Sequence, residues 1–179
     1  MSHAHGDSGP RELIPLNIAL LTVSDSRTAE TDKSGDLLAD RLSQAGHRLA
    51  QRAIEPDDIY RIRATLSAWI VDPTVNAIIT TGGTGSTGRD GTPEAVEPLL
   101  DKVIDGFGEM FRSLSWADIG TSTLQSRALA GVANGTYIFC LPGSRGACAD
   151  GWDKLIAQQL DFRTRPCNLV ELMPRLTEK

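Results

Sequence analysis

A chain of 179 residues, 40% hydrophobic and 23% charged, has the composition of one soluble globular domain. Its formal net charge of −5, with no basic run, argues against a nucleic-acid binder, because affinity for a phosphate backbone comes from clustered Lys and Arg. Apolar stretches such as 18–23 and 137–141 fall far short of the ~20 residues a membrane helix needs, so no membrane partner is expected.

The opening MSHAHGDSGPRE has no charged-then-apolar signal pattern, and residues 1–13 are expected to form a flexible tail. NIALLTV, 17–23, reads as a strand buried on both faces of a parallel sheet, followed by the polar turn Ser24-Asp25-Ser26. From 34 to 45, Leu37, Leu38, Leu42 and Ala45 share a helical face that Gly46 ends. Residues 47–54 make a weaker strand, after which Asp57 or Asp58 caps a helix with Ile59, Ile62, Leu66, Trp69 and Ile70 on one side. A second buried strand spans 75–80 and opens into a glycine loop. Thr92 then reads as an N-cap with Pro93 at the first helical position, and Pro98 keeps that helix short or kinked. Gly106-Phe107-Gly108-Glu109 reads as punctuation before a helix carrying Met110, Phe111 and Leu114. Asn134-Gly135 between the apolar runs 129–133 and 136–141 predicts a type I′ hairpin. Pro142-Gly143-Ser144 leads into a last helix with Cys148, Trp152, Leu155, Ile156 and Leu160 on one face.

This order predicts a three-layer α/β/α fold, its sheet mostly parallel with an antiparallel hairpin. One domain covers 14–168, and 169–179 is a C-terminal extension. Cys140, Cys148 and Cys167 are an odd set without C-x-x-C spacing, which suits a reducing, cytoplasmic setting and gives no zinc site. His3, His5 and His47 show no metal-ligand spacing, and no metal role is expected of them.

The chemistry concentrates in TTGGTGSTGRDGTPE, 80–94. Gly83, Gly85 and Gly88 satisfy the dinucleotide spacing GxGxxG, but they follow the third strand and lack an acid at the end of a next strand. The start of a Walker A motif is also present, yet Arg89-Asp90 stands where Lys-Ser/Thr is required. A glycine turn without a ligand is the plain alternative. Against it, the loop leaves the carboxyl end of a buried strand, where open α/β sheets bind ligands, and its N–H groups can converge on an anion. The turns at 24–26 and 142–144 are expected at the same edge. A carboxylate such as Asp90 beside phosphates makes sense with Mg²⁺ between them, and Asp57 offers a second. Such a pair points to metal-assisted nucleotidyl or phosphoryl transfer; as plain structure, Asp57 is a helix cap and Asp90 a solvated loop acid.

TTGGTGSTGRD with Thr92-Pro93-Glu94, GFGE at 106–109, Ser126-Arg127 and LPGS at 141–144 resembles the MoaB/MogA family of molybdenum cofactor biosynthesis proteins, whose plant and animal relatives are the G domains of Cnx and gephyrin. The resemblance runs from about 14 to about 168, and STLQSRALAGVAN and RTRPCN are closer to the MoaB branch. It implies an α/β/α fold, a homotrimer or hexamer, and Mg²⁺- and ATP-dependent adenylylation of molybdopterin with release of pyrophosphate. A molybdopterin-binding or scaffold protein of the same pathway is the alternative it leaves. By position, the family's essential acids correspond to Asp90 and to Asp57, with Asp58 one residue on. Gly82, Gly83, Thr84 and Gly85 correspond to its phosphate and pterin loop, and Ser24 and Asp25 to the turn after the first strand. Thr92, Pro93, Glu94, Gly108, Glu109, Ser126, Arg127, Pro142, Gly143 and Ser144 correspond to pocket positions, with Arg127 as a cation for a phosphate.

Overall fold

The structure is a computed structural model that describes residues 9–178. Six strands form one sheet in the order β2-β1-β3-β6-β5-β4. Here β1 is Asn17–Val23, β2 Arg48–Glu55, β3 Ala77–Thr81, β4 Lys102–Val103, β5 Leu129–Ala133 and β6 Thr136–Leu141. β2, β1, β3 and β6 run parallel, while β5 pairs antiparallel with both β6 and β4.

Alternation along the strands divides the core into two layers. Ile18, Leu20, Ile79 and Phe139 face helices α1 (Lys33–Gln44) and α4 (Asp105–Ile119) and the chain from α5 (Arg145–Gly151) to α6 (Ala157–Gln159). Ala19, Leu21, Ile78 and Ile138 face α2 (Ile59–Ile70) and α3 (Thr92–Val96). β1, β3 and β6 are mostly apolar and buried because both faces are covered, whereas the edge strands β2 and β4 carry charged residues and are largely exposed. The three layers and the mostly parallel sheet with its hairpin are therefore as the sequence predicts. Asn134 (φ 48°) and Gly135 (φ 79°) both take the positive φ that the hairpin turn demands.

Of the two caps the sequence offers for α2, Asp58 is the one that serves, accepting from the N–H groups of Tyr60 and Arg61. Several local expectations differ. The residue before α3 is Gly91, with no side-chain cap; Thr92 instead turns its hydroxyl back to donate to the Gly82 carbonyl at 2.9 Å. Gly106 to Glu109 lie inside α4, where Gly108 lets the helix pass the Ala128 carbonyl at a distance that admits no β-carbon. The last helix carries a π-helical stretch, Trp152–Ile156, between α5 and α6. Pro98 falls in a 3₁₀ turn, Glu97–Leu99, so the helix is short as expected.

Residues 1–8 of the expected tail, with His3 and His5, lie outside the described residues. Its end is tied down, since the Arg11 guanidinium lies over the Phe162 ring and pairs with Glu171. The extension is likewise built on the core, its 3₁₀ helix Val170–Arg175 burying Val170 while Tyr137 donates to the Leu169 carbonyl at 2.8 Å. His47 is buried, its Nδ1 accepting from the Leu16 N–H, and burial lowers its pKa. Among the described residues no helix is long and apolar enough to cross a membrane.

Candidate functional site

Neighbouring strands β1 and β3 send their following helices, α1 and α3, to opposite faces of the sheet. The loops at their carboxyl ends therefore part and leave a crevice, the place where open α/β sheets take ligands. A cavity of about 540 Å³ opens there, lined by the turns after β1, β2, β3 and β6 and by one flank of α4. Of the sequence-predicted residues it gathers Ser24, Asp25, Asp57, Gly82, Gly83, Thr84, Gly85, Asp90, Ser126, Pro142, Gly143 and Ser144. Pro93, Glu94, Gly108 and Arg127 line a separate cavity of about 490 Å³, which shares only Ser126 with the first. Thr92 is buried behind the loop, and Glu109 is exposed on α4 and lines neither cavity.

The glycines divide by need. Gly82 (φ 104°) and Gly83 (φ 65°) hold left-handed backbone, where a side chain is strained. A β-carbon on Gly82 would strike the Val23 carbonyl, and one on Gly83 would collide with Thr92 Oγ1 and lie 2.7 Å from Asp57 Oδ1. Gly88, the last member of the dinucleotide pattern, has open space around it and no positive φ. The GxGxxG match is thus a coincidence of spacing, whereas Gly82-Gly83 is a steric requirement of this crevice.

Asp90 closes the loop on itself, accepting from the Thr87 N–H at 2.9 Å and the Thr87 hydroxyl at 2.6 Å. That hydroxyl bond is the main reason its carboxyl sits below the usual range. Arg127 clamps the same loop from outside. Its Nε donates to the Gly85 carbonyl at 2.8 Å, Nη2 to the Asp90 carbonyl at 2.9 Å, and Nη1 meets Glu94. The guanidinium expected to meet a phosphate is committed here to shaping the loop.

Asp57 is the contrasting acid. Half-buried, it accepts only a long 3.4 Å bond from the Gly91 N–H, and burial first, then the charges of Asp25 and Asp90, push its pKa up. Arg89, the cation that opposes this shift, places Nη2 and Nε 2.6 and 3.0 Å from the Asp25 carboxylate. Asp25 also accepts from the Asp57 N–H at 3.0 Å, which ties the turns after β1 and β2 to the glycine loop.

Sequence reasoning missed the opposite wall. Arg27 lines the cavity and donates to the Gly143 carbonyl at 2.8 Å, and Ser34 donates to the same oxygen at 2.9 Å. Behind them Asp32 is fully buried. Burial alone would raise its pKa, but bonds from Thr22 Oγ1 (2.6 Å), Arg52 Nη2 (3.0 Å) and the Gly35 N–H (3.0 Å) outweigh it and the net shift is downward. An acid just before Ser34-Gly35 at a helix start was the available signal, since Asp32 is the N-cap of α1. Phe111, Ser115, Ile119, Ser122 and Gln125 also line the cavity, and the sequence singled out none of them as a site residue.

The glycine loop, its acids and the crevice mark an open α/β domain with a ligand cleft at the carboxyl ends of its strands. The family described as "Probable molybdopterin binding domain" matches residues 19–161, and this chain belongs to it. Molybdenum cofactor biosynthesis protein B of Escherichia coli (strain K12) is 55% identical over 157 residues, covering 88% of this chain and 92% of that one. A crystal structure of a Molybdenum cofactor biosynthesis protein B superposes with a TM-score of 0.81 at 42% identity, covering 84% of this chain and 94% of the other. The tungsten cofactor synthesizing protein MoaB from Pyrococcus furiosus gives 0.72 at 34%, covering 80% and 92%. Within its family the chain is a molybdenum cofactor biosynthesis protein of the MoaB type.

Proposed function

We propose that this protein binds molybdopterin and ATP in the crevice and transfers the adenylyl group to molybdopterin. An oxygen of the molybdopterin phosphate attacks the α-phosphorus of ATP, the bond from that phosphorus to the β-phosphate bridging oxygen breaks, and pyrophosphate leaves. Such displacement needs positioning and charge neutralisation more than covalent help. The single observation that carries the reading is Asp57: a half-buried carboxylate, raised in pKa, facing a glycine loop with the charges of Asp25 and Asp90 acting on it and the opposing cation, Arg89, paired with Asp25. Such a group calls for a cation.

Mg²⁺ fits the donor set. Among the described residues no cluster of three or more His, Cys, Asp or Glu forms a complete metal site. Mg²⁺ asks for less, being held by one or two carboxylates with substrate phosphates and water. Asp57 and Asp90 would hold it, and it would supply charge neutralisation at the phosphates. The N–H groups of Gly83 and Thr84 would hold anionic oxygens, since that of Gly82 is bonded to the Leu141 carbonyl, and the Asp25–Arg89 pair would set the mouth of the crevice.

The test is pyrophosphate release by the purified protein. Release from ATP only when molybdopterin is supplied is the expected result. Molybdopterin bound without any release would make the chain a non-catalytic binding or scaffold member of the pathway. The same proposal includes a cytoplasmic homotrimer or pair of trimers, supported by Met110, Trp116 and Leu124, which are 57%, 61% and 85% exposed on and beside α4. Light scattering that finds a stable 19.2 kDa monomer would remove the assembly.

A further inference from the structure

The main cavity is acidic at one end and holds a single basic side chain among its lining residues. Asp25 and Asp57 lie on the β2 side with Asp90 on the glycine loop, and the one cation is Arg27. Arg27 leaves the turn after β1 and crosses toward β6, where Nη2 donates to the Gly143 carbonyl at 2.8 Å. The ends of β2 and β6 stand three strand spacings apart, roughly 14 Å at about 4.8 Å each, so the two ends of the cavity are distinct places.

Arg27 also keeps donors for the cavity, although it forms a looser ion pair with a buried carboxylate. The buried carboxylate beside it, Asp32, takes its close ion pair from Arg52 at 3.0 Å, whereas Arg27 Nη1 stands 3.7 Å away, beyond hydrogen-bond length. One N–H is used on Gly143 and the side chain is 30% exposed, so other donors of the planar fork remain for the cavity. Arg127, in contrast, directs all three of its nitrogens to Gly85, Asp90 and Glu94.

We propose that Arg27 is the phosphate anchor of this cavity, receiving a phosphoryl group of the substrate on the β6 side, apart from the metal-holding carboxylates. The inference rests on the proposed function only in requiring a phosphorylated ligand. Its chemistry is that of a guanidinium fork on phosphate oxygens, which needs no metal. That group belongs either to ATP or to the phosphomonoester of the pterin.

The test is calorimetry with inorganic pyrophosphate in EDTA. Wild type is expected to bind it, with affinity falling as salt rises. Arg27→Met should bind about 10- to 100-fold more weakly, the ordinary size of a charge-assisted contact, and with a shallower salt dependence. Arg27→Lys keeps the charge and should recover part of the loss, which guards against a folding defect in the first variant. Ser34→Ala removes the other bond to Gly143 without changing charge and should leave pyrophosphate affinity as it was. Repeating the titration with ATP and with molybdopterin assigns the source, since only the ligand whose phosphate sits on Arg27 should weaken in Arg27→Met. Three results would overturn the proposal: no metal-free binding by wild type, Arg27→Met binding within twofold of it, or Ser34→Ala losing as much as Arg27→Met. Absence of pyrophosphate release would instead remove the catalytic reading and leave Arg27 as an anchor.

Discussion

Asp57 and Asp90 face one cavity from neighbouring loops, yet their surroundings push them in opposite directions. Asp90 is satisfied by Thr87, and its carboxyl is held low, chiefly by that hydroxyl bond. Asp57 is desolvated, weakly bonded and crowded by like charge, and its carboxyl is held high. The first acid is already part of the architecture of its loop. The second is strained without a cation, and strain in a cavity is where a ligand contributes most.

Breaking the floor beneath both acids has the largest expected effect. Gly83→Val forces a side chain into left-handed backbone, against Thr92 Oγ1 and the Asp57 carboxylate. The contacts add a stability cost, about 2–4 kcal/mol from backbone strain and overpacking together. Calorimetry should find no ATP or molybdopterin binding, and urea unfolding should show the lowered midpoint. Binding of wild-type strength would show that the ligand lies elsewhere.

Asp57→Asn comes next and separates the two acids. Turnover should fall about a hundredfold, on the order of 3 kcal/mol, if this carboxylate helps hold the metal. The apo protein should become more stable at neutral pH. Because the folded pKa of Asp57 lies above its ordinary 3.8, the native state binds a proton more readily than the unfolded chain. Its contribution is present below the unfolded value and is lost as pH rises through the folded one, so the ionised form opposes folding above that window. Thermal melts of wild type and variant from pH 3 to 7 should diverge in that sense.

Asp90→Asn should slow turnover comparably but move stability the other way. With a folded pKa below 3.8, Asp90 contributes above the unfolded value, and that contribution is lost as pH falls through the folded one. The loss on substitution is small, about 1 kcal/mol or less, because the loop is open to solvent. The two bonds from Thr87 set that sign. A double variant should be much less than multiplicatively slower if both acids serve one metal. Stabilisation by both single variants would erase the distinction between the acids.

The fold was legible wherever burial imposes a pattern. The predominantly apolar runs of β1, β3 and β6 state that both faces of the sheet are covered there, and Asn134-Gly135 states its turn. In the candidate site, glycine was legible where close approach demands it, at Gly82 and Gly83, and the acids were named through the chemistry of the glycine loop and the family resemblance. What stayed hidden depends on contacts across the chain. Nothing near Arg27 reveals that its guanidinium reaches Gly143, 116 residues away, or that Arg127 reaches back 42 residues to Gly85. Glycines misled at 106–109, because Gly108 serves helix packing against Ala128 and breaks nothing.

The smallest effect expected, and the sharpest probe of the contrast, concerns Arg89. Its pair with Asp25 joins two exposed side chains, so Arg89→Met should leave the melting temperature unchanged within error. It should still be felt by Asp57. Arg89 opposes the upward shift of that carboxyl, while Asp25 and Asp90 reinforce it. Removing the cation also frees Asp25 to act on Asp57 with its full charge. The pKa of Asp57 should therefore climb further in Arg89→Met, while that of Asp90, set first by its bond from Thr87, should hardly move. Carboxyl-carbon NMR titration of the two side chains reads both at once. The upward displacement should shrink in high salt, since the pair lies at the surface, and Mg²⁺ with ATP should bring Asp57 back down. An Asp57 carboxyl that titrates identically in wild type and variant would mean that burial alone sets it, and that the charges around the cavity mouth do not prepare it for a cation.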